Sequence, residues 1–121
     1  MLIELGLRHD LMETELLVGV VALINNDPTA AEPPLRAAYG GLGELGVGAD
    51  AGQAAALLAR SVLAQGRVDE ADEMAKASEA LAGQNLKTAI AWRSARAEVC
   101  AARGDAAAVA IAEEAVAIAA G

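Results

Sequence analysis

The feature that most constrains the fold of this chain is a partial repetition of its own sequence. The residues Glu4–Leu7 reappear as Glu44–Val47, an interval of 40 residues. The same interval separates Asn26–Asp27 from Gly66–Arg67, and a related pair, Gly104–Asp105, follows 38 residues later. Intervals of about 20 to 50 residues are typical of proteins in which one small unit of secondary structure stacks on the next. The chain is therefore predicted to be a row of similar units.

The residues between the repeated segments follow a helical pattern. In the first unit, apolar residues recur at positions 16, 17, 20, 21, 23 and 24, a spacing that places them along one broad side of a helix. Gly66 is typical of a residue that ends a helix. Six helices are predicted, at about residues 11–24, 33–45, 50–65, 68–82, 86–103 and 105–120. Because the turns between them are short, they are expected to form three antiparallel hairpins, at about 10–45, 50–82 and 86–120.

The start of the second helix contains three prolines. Asp27 suits the N-cap position and Pro28 the first helical position, where no backbone N–H is needed. A proline inside a helix costs about 3 kcal/mol because it lacks an N–H and clashes with the preceding turn. We therefore expect a loose turn over Pro28–Glu32 and a regular helix from about Pro33, with Pro34 next to it. A kink that shapes a binding surface is the alternative.

Alanine supplies most of the apolar content of the chain. Hydrophobic residues make up 55% of the sequence but aromatic residues only 2%. Alanine is the best helix former, but it buries little area, so helices rich in it gain from packing only when they approach closely. The β-branched residues are too scattered to form a sheet. This composition predicts an all-α fold with tight contacts between helices.

Charge and cysteine content exclude several classes of function and location. The net charge is −8 and the nine Lys and Arg residues are dispersed, whereas binding to a phosphate backbone requires clustered basic residues. Neither nucleic acid nor a membrane is therefore an expected partner. Cys100 has no second cysteine to pair with, which suits a reducing compartment. We find no signal peptide and no apolar run of about 18 residues, so the expected location is the cytoplasm.

Three features together resemble the tetratricopeptide repeat: the three hairpins, a small residue inside each first helix, and the loop Gly66–Ala71. In that family, small residues let the two helices of a hairpin approach each other. The resemblance implies an all-α, right-handed solenoid of three stacked hairpins. It assigns the small positions to the pairs Gly19 with Ala31, Ala59 with Ala71, and Ala97 with Val109. The interval of 38–40 residues exceeds the roughly 34 of the family, and the family's large aromatic positions hold small or charged residues here.

The resemblance extends to alanine-rich repeats in the C-terminal halves of large bacterial regulators. The segments that carry it are Ala56–Arg60, Gln65–Arg67, Asp69–Ala71, Trp92–Ser94 and Ala101–Asp105. They are similar to segments of adenylate cyclase-like signalling proteins and of transcription activators of the MalT type. In those proteins the repeats contact other proteins or domains and perform no chemistry. The resemblance thus implies a non-catalytic scaffold module for protein–protein or interdomain contacts. The alternative is a sensor module that binds a small effector in the repeat groove.

Both ends of the chain are expected to be incomplete repeats. Residues 1–7 match the end of a hairpin's second helix, so they are expected to be the stub of a preceding repeat. The last helix, over Ala106–Ala120, lacks the polar outer face of a capping repeat. The chain is therefore expected to be part of a longer protein or to form a homodimer through its apolar end helices.

No catalytic, cofactor-binding or metal-binding residue is predicted. His9, the single histidine, is expected in a turn beside Asp10 as a surface residue or cap, because no nucleophile or metal ligand accompanies it. Cys100 is expected to be a buried structural thiol. The acidic residues that follow Asp69 suit the first turn of a helix, where the helix dipole favours negative charge. No histidine accompanies them to complete a set of metal ligands.

A partner-binding surface is predicted along the first helix of each hairpin, which lines the concave side in the tetratricopeptide family. The residues that the resemblance assigns to it are Glu13, Leu16, Val20, Leu23, Gln53, Arg60, Leu63, Ser94 and Glu98. The apolar members Leu16, Val20 and Leu23 either contact a partner or are covered by a preceding repeat or a second copy. Arg93 and Arg96 are expected to pair with nearby acidic residues or to bind a carboxylate of a ligand.

Overall fold

The computed structural model describes residues 2–121, without the side chains of residues 2 and 5, and it is helical almost throughout. Short turns join six helices, and the described residues contain no strand. The helices are α1 (Leu2–Ile24), α2 (Pro28–Glu44), α3 (Gly48–Ala64), α4 (Val68–Ala82), α5 (Leu86–Ala102) and α6 (Ala107–Ala120). The predicted all-α fold is confirmed.

Four of the five turns close in the same way. In each of them a residue with a positive φ follows the helix, and the next backbone N–H donates to a carbonyl five residues earlier. These positive-φ residues are Asn26, Gly46, Gly66 and Gly104. In the third turn, Gly66 has a φ of 88°, and the N–H of Arg67 donates to the carbonyl of Val62 at 3.0 Å. Glycine adopts this backbone without a steric penalty, so the predicted role of Gly66 as a helix terminator is confirmed.

The helices pack in an open row. Each helix contacts the next one along the chain, and α3 also contacts α5 and, over a shorter stretch, α1. In the described part of the chain, the backbones of α2 and α4 do not come close, although Arg36 of α2 reaches Glu70 of α4. In the same part, α1 does not pack against α6. The row is therefore not closed into a ring. None of the described helices has both the length and the apolarity needed to cross a membrane.

Small residues allow the helices to approach closely. A Cβ atom added to Gly52 on α3 would lie 2.8 Å from Cγ2 of Thr88 on α5. Cβ atoms added to Gly19 and Gly41 would likewise overlap the side chains of Leu35 and Met12 in the contact between α1 and α2. Alanines fill much of the remaining core, together with a few larger side chains such as Leu58. The prediction of tight contacts between alanine- and glycine-lined helices is confirmed.

Five of the six small positions assigned by the family resemblance are buried. They are Gly19, Ala31, Ala59, Ala71 and Ala97. The sixth, Val109, is 65% exposed, so its assignment to a close contact between helices is wrong. Val109 lines an open depression between α5 and α6 together with Ala97. No other described helix covers it, because α6 packs only against α5.

The first helix begins earlier than the sequence predicted. It runs from Leu2 to Ile24 without a break, so the predicted turn at His9 and the predicted start at residue 11 are wrong. Residues 2–7 form the first turns of α1, and no turn separates them from it as a stub; residue 1 lies outside the described residues. Most residues of this stretch favour a helix, and Gly6 alone costs only about 1 kcal/mol there.

The second helix also begins earlier than expected. Asp27 accepts a hydrogen bond from the N–H of Ala30 at 3.2 Å, which confirms the predicted N-cap. The helix continues from Pro28 through Pro33 and Pro34, so the predicted loose turn over residues 28–32 is wrong. Because Pro33 and Pro34 have no backbone N–H, the carbonyl four residues before each of them accepts no hydrogen bond within the helix. Both carbonyls belong to exposed residues, where water can replace the missing donors.

Candidate interaction surface

Most of the residues predicted to face a partner lie together on the side formed by α1, α3 and α5. Leu23, Arg60 and Glu98 line one shallow depression of about 200 Å³. Val20 joins Leu23 and Arg60 in a second depression of about 190 Å³. Gln53 joins Val20 in a third depression, of about 200 Å³, which Glu13 also lines. The structure therefore brings residues from all three odd-numbered helices onto one surface.

Two of the predicted partner-binding residues, Leu16 and Leu63, pack against the core of the chain itself. Leu16 is 7% exposed and belongs to the hydrophobic core. It lies three residues before Gly19 and shares the helix face that packs against α2. Leu63 is partly buried and packs against the same core. Leu16 is therefore largely covered within the chain itself, although its edge lines the third depression.

The arginines on this side of the molecule are paired with acidic residues. Arg60 lies 3.2 Å from a carboxylate oxygen of Glu98, between α3 and α5. Arg93 and Arg96 form ion pairs with acidic residues of α6 and α4, at 3.2 and 3.1 Å. The guanidinium of Arg93 also stacks over the ring of Trp92, 4.2 Å from its centre. The prediction that Arg93 and Arg96 pair with nearby carboxylates is confirmed.

The outer face of α1 is apolar and exposed. Its members are Ile3, Leu7, Leu11, Leu17, Val18, Val21 and Ile24, with exposed fractions from 47% for Val21 to 79% for Ile3. At 100° per residue these positions form one stripe along the helix, opposite the buried Leu16 and Gly19. We call these seven residues the α1 outer face. Residues 16–24 of α1 are apolar on all sides, and a helix of this kind is normally covered on all sides.

A second apolar surface lies at the other end of the row. A groove of about 400 Å³ runs between α5 and α6. Its lining includes the predicted residues Ser94 and Glu98, and small or apolar side chains of α6 such as Ala112 and Val116. In α6 only Ala115 is buried. The α6 helix therefore shows most of its alanine-rich surface to solvent.

One charged cluster connects α1 with α3. Nε2 of His9 lies 3.6 Å from a carboxylate oxygen of Glu13 and 3.7 Å from one of Asp50. All three side chains are partly buried. Burial raises the pKa of Glu13, and the neighbouring carboxylate of Asp50 raises it further. Sequence reasoning placed His9 in a turn and so missed this cluster, although His9 and Glu13 have the spacing of neighbours on one helix face.

The single cysteine lies apart from this cluster. Cys100 is a free thiol on α5 and is partly buried, so it is more exposed than the buried structural thiol that was predicted.

Another charged cluster connects α2, α3 and α4. The carboxylate of Glu32 accepts hydrogen bonds from Arg67 at 2.6 Å, Arg36 at 2.8 Å and Gln65 at 3.0 Å. Both arginines also contact Glu70. The hydrogen bond from Arg67, with those from Arg36 and Gln65, lowers the pKa of Glu32 to about 2. This network connects the turn after α3 with α2 through Glu32 and with α4 through Glu70.

The chain matches no family model, no curated protein and no solved structure in comparisons with all three.

Proposed function

We propose that this chain is a non-catalytic helical-repeat module that binds the apolar side of a helical segment in another protein, another domain or a second copy. The observation that carries this proposal is the α1 outer face, seven exposed apolar residues on one side of the helix, four of which follow Thr14 without a polar residue between them. Contiguous exposed apolar surface of this kind marks interaction sites in soluble proteins. The proposed architecture is a tetratricopeptide-like, right-handed solenoid of three hairpins.

The contacts between helices support a repeat architecture. The odd-numbered helices pack on one another in sequence, α1 on α3 and α3 on α5, whereas the backbones of the even-numbered helices do not come close in the described residues. Between α2 and α4 the long side chain of Arg36 reaches Glu70. The first helices of successive hairpins therefore lie side by side. This arrangement is expected of a solenoid in which each hairpin contacts only its neighbours.

A comparison of α1 with α3 indicates what covers the α1 outer face. Nine residues of α3 are buried, because it has helices on both sides: α1 and α2 on one, α4 and α5 on the other. Among the α1 residues whose side chains are described, only Leu16 and Gly19 are buried. An additional pair of helices on the free side of α1 would cover its outer face as α3 is covered. A partner with an apolar helical face therefore fits this surface best.

The resemblance to bacterial regulators supports another domain of such a regulator as the natural partner, since their repeats contact other domains. The ligand-sensor alternative has less support. The depressions beside Arg60 are shallow, and Arg60 is already paired with Glu98. A carboxylate ligand at this place would have to displace that ion pair.

Sedimentation velocity over a range of protein concentrations tests the proposal. With no other partner present, the α1 outer face can bind the apolar helices of a second copy, so the mean mass of the wild type should rise with concentration. Leu7→Glu with Val18→Glu places two charges on this face and should keep the protein monomeric. The matched control, Thr29→Glu with Ala37→Glu, adds the same charge at exposed positions of α2 and should behave as the wild type. Equal behaviour of all three proteins would overturn the proposal.

A further inference from the structure

The cluster that joins α1 to α3 has the geometry of a metal site. We propose that His9, Glu13 and Asp50 bind one divalent transition-metal ion, for which zinc is the best fit. The distances from Nε2 of His9 to the two carboxylates are 3.6 and 3.7 Å, and the three ligand atoms all lie within 4.8 Å of one another. Zinc bonds of about 2.1 Å in a tetrahedron place neighbouring ligand atoms about 3.4 Å apart. Small side-chain rotations therefore suffice to form the site.

The types of ligand select the class of ion. A neutral imidazole binds metal through a nitrogen without a proton, and Nε2 of His9 is the atom that lies near both carboxylates. Calcium and magnesium prefer sets of oxygen ligands, whereas zinc accepts imidazole nitrogen together with carboxylate oxygen. Glu13 and Asp50 together carry two negative charges, which match the two positive charges of the ion.

The surroundings of the two carboxylates favour a cation between them. Elsewhere in the described residues, closely packed carboxylates such as Glu32 and Asp72 have an arginine or lysine at ion-pair distance. In the same part of the chain, Glu13 and Asp50 have only His9 at that distance. Lys87 is the next basic group whose charge affects the pKa of Glu13, and it lies farther from Glu13 than His9 does. Two carboxylates held together repel each other unless a proton or a cation lies between them.

The site is accessible to an ion from solvent. All three side chains are partly exposed, with fractions of 37% to 40%. A depression of about 200 Å³, lined by Glu13, Gln53 and Lys87, adjoins the cluster. Three protein ligands would leave the fourth position of a tetrahedron to water, as in zinc sites with an open position.

Metal binding would strengthen one particular contact of the fold. His9 and Glu13 lie on α1 and Asp50 in the first turn of α3. These two helices contact each other over a short stretch only, so an ion between them would add a bridge where packing is sparse. Because the unfolded chain does not hold the three ligands together, zinc would stabilise the folded protein. This inference concerns metal binding and stability, and it does not depend on the proposed partner surface.

Isothermal titration of the chelator-treated protein with zinc chloride tests the site, together with thermal unfolding in zinc and in chelator. The wild type should bind one zinc ion per chain, and its Tm should rise by several degrees in zinc. His9→Gln and Asp50→Asn should each weaken binding by about tenfold or more and abolish the rise in Tm. Both positions are partly exposed, so both variants are expected to fold, which circular dichroism checks.

The matched control is Cys100→Ser, which removes the other strong zinc ligand of the chain. The chain has one histidine and one cysteine. His9→Gln and Cys100→Ser therefore show which of these two side chains binds the zinc ion. Unchanged affinity in Cys100→Ser is the result expected for the proposed site. Absence of zinc binding by the wild type, unchanged zinc affinity in His9→Gln, or binding that is lost in Cys100→Ser would each overturn the proposal.

Discussion

Arg67 donates a hydrogen bond to Glu32 at 2.6 Å and so connects the turn after α3 with the second turn of α2. One hairpin later, Arg103 follows α5 and reaches back to α4 in the same way. It donates to Asp69 at 2.7 Å and lies 3.4 Å from Asp72. Asp72 is the fifth residue of α4, as Glu32 is the fifth residue of α2. The same ionic contact therefore occurs at two successive junctions between hairpins.

A basic residue one turn after Glu32 in α2 and one turn after Asp72 in α4 makes the two contacts more alike. Arg36 pairs with Glu32 at 2.8 Å and Lys76 pairs with Asp72 at 2.9 Å, both with the spacing of i to i+4. Glu32 and Asp72 are 40 positions apart along the chain, and so are Arg36 and Lys76. This is the interval of the sequence repeat. The repeat thus preserves a set of charged contacts as well as small residues in the core.

Glu32 is predicted to stabilise the fold, because it accepts hydrogen bonds from three side chains. Glu32→Gln removes the charge that its two arginine partners require, and a hydrogen bond to a charged group contributes about 1.5–3 kcal/mol. We expect the free energy of unfolding to fall by about 1–3 kcal/mol, measured by urea denaturation. Glu113→Gln, an exposed change on α6, is the matched control and should change it by less than about 0.5 kcal/mol.

The same residue predicts how stability depends on pH. The pKa of Glu32 is lowered to about 2 in the folded protein from an ordinary value of 4.5. A lowered pKa means that the folded state takes up this proton less readily than the unfolded state, so stability falls as the pH decreases from about 4.5 to about 2. Denaturation curves over this range should show a smaller decrease in Glu32→Gln than in the wild type. Parallel curves for the two proteins would contradict the assignment.

The close approach of helices at Gly52 predicts opposite effects for two glycine substitutions. Gly52→Ala places a Cβ atom 2.8 Å from Thr88 and 3.1 Å from Leu81, and such overpacking costs about 1–3 kcal/mol. Gly40→Ala, on the exposed side of α2, meets no atom within 4 Å and should stabilise the helix by about 0.5–1 kcal/mol. Thermal unfolding of both variants checks the signs, and a loss of stability in both would contradict this packing.

Two neighbouring leucines of α1 should respond very differently to a charge. Leu16 is 7% exposed, but Leu17 is 61% exposed. Leu16→Glu places a carboxylate in the core without a partner and should destabilise the protein by about 3 kcal/mol or more. Leu17→Glu lies on the α1 outer face and should change the free energy of unfolding by less than about 0.5 kcal/mol. Similar losses in both variants would show that α1 is rotated from the orientation described.

The sequence predicted the features that depend on local signals. The bounds of α4, Val68–Ala82, agree with the prediction, because Gly66 and Gly83 lie on either side of a clear helical pattern. The bounds of α1 were missed because the repeat comparison placed a boundary at His9, whereas the helix continues through it. A repeat identifies equivalent positions but does not determine where a helix begins.

The candidate interaction surface was predicted only in part, for a reason of geometry. Residues such as Val20 and Gln53 do share one depression, because their helices, α1 and α3, are in contact. The α1 outer face was missed because residues 3 and 7 were assigned to a preceding repeat. The contact of His9 with Asp50 depends on the rotation of α1 against α3, which no local pattern in the sequence determines.

Photo-crosslinking in cells that produce the protein tests most directly whether the α1 outer face binds a helical partner. Val18 is replaced by p-benzoylphenylalanine, with the same replacement at Ala37 on α2 as the control. The crosslinked peptides, identified by mass spectrometry, should come from the apolar side of an amphipathic helix, and Leu7→Glu with Val21→Glu should abolish them. No product from position 18, or equal yields from positions 18 and 37, would contradict the account.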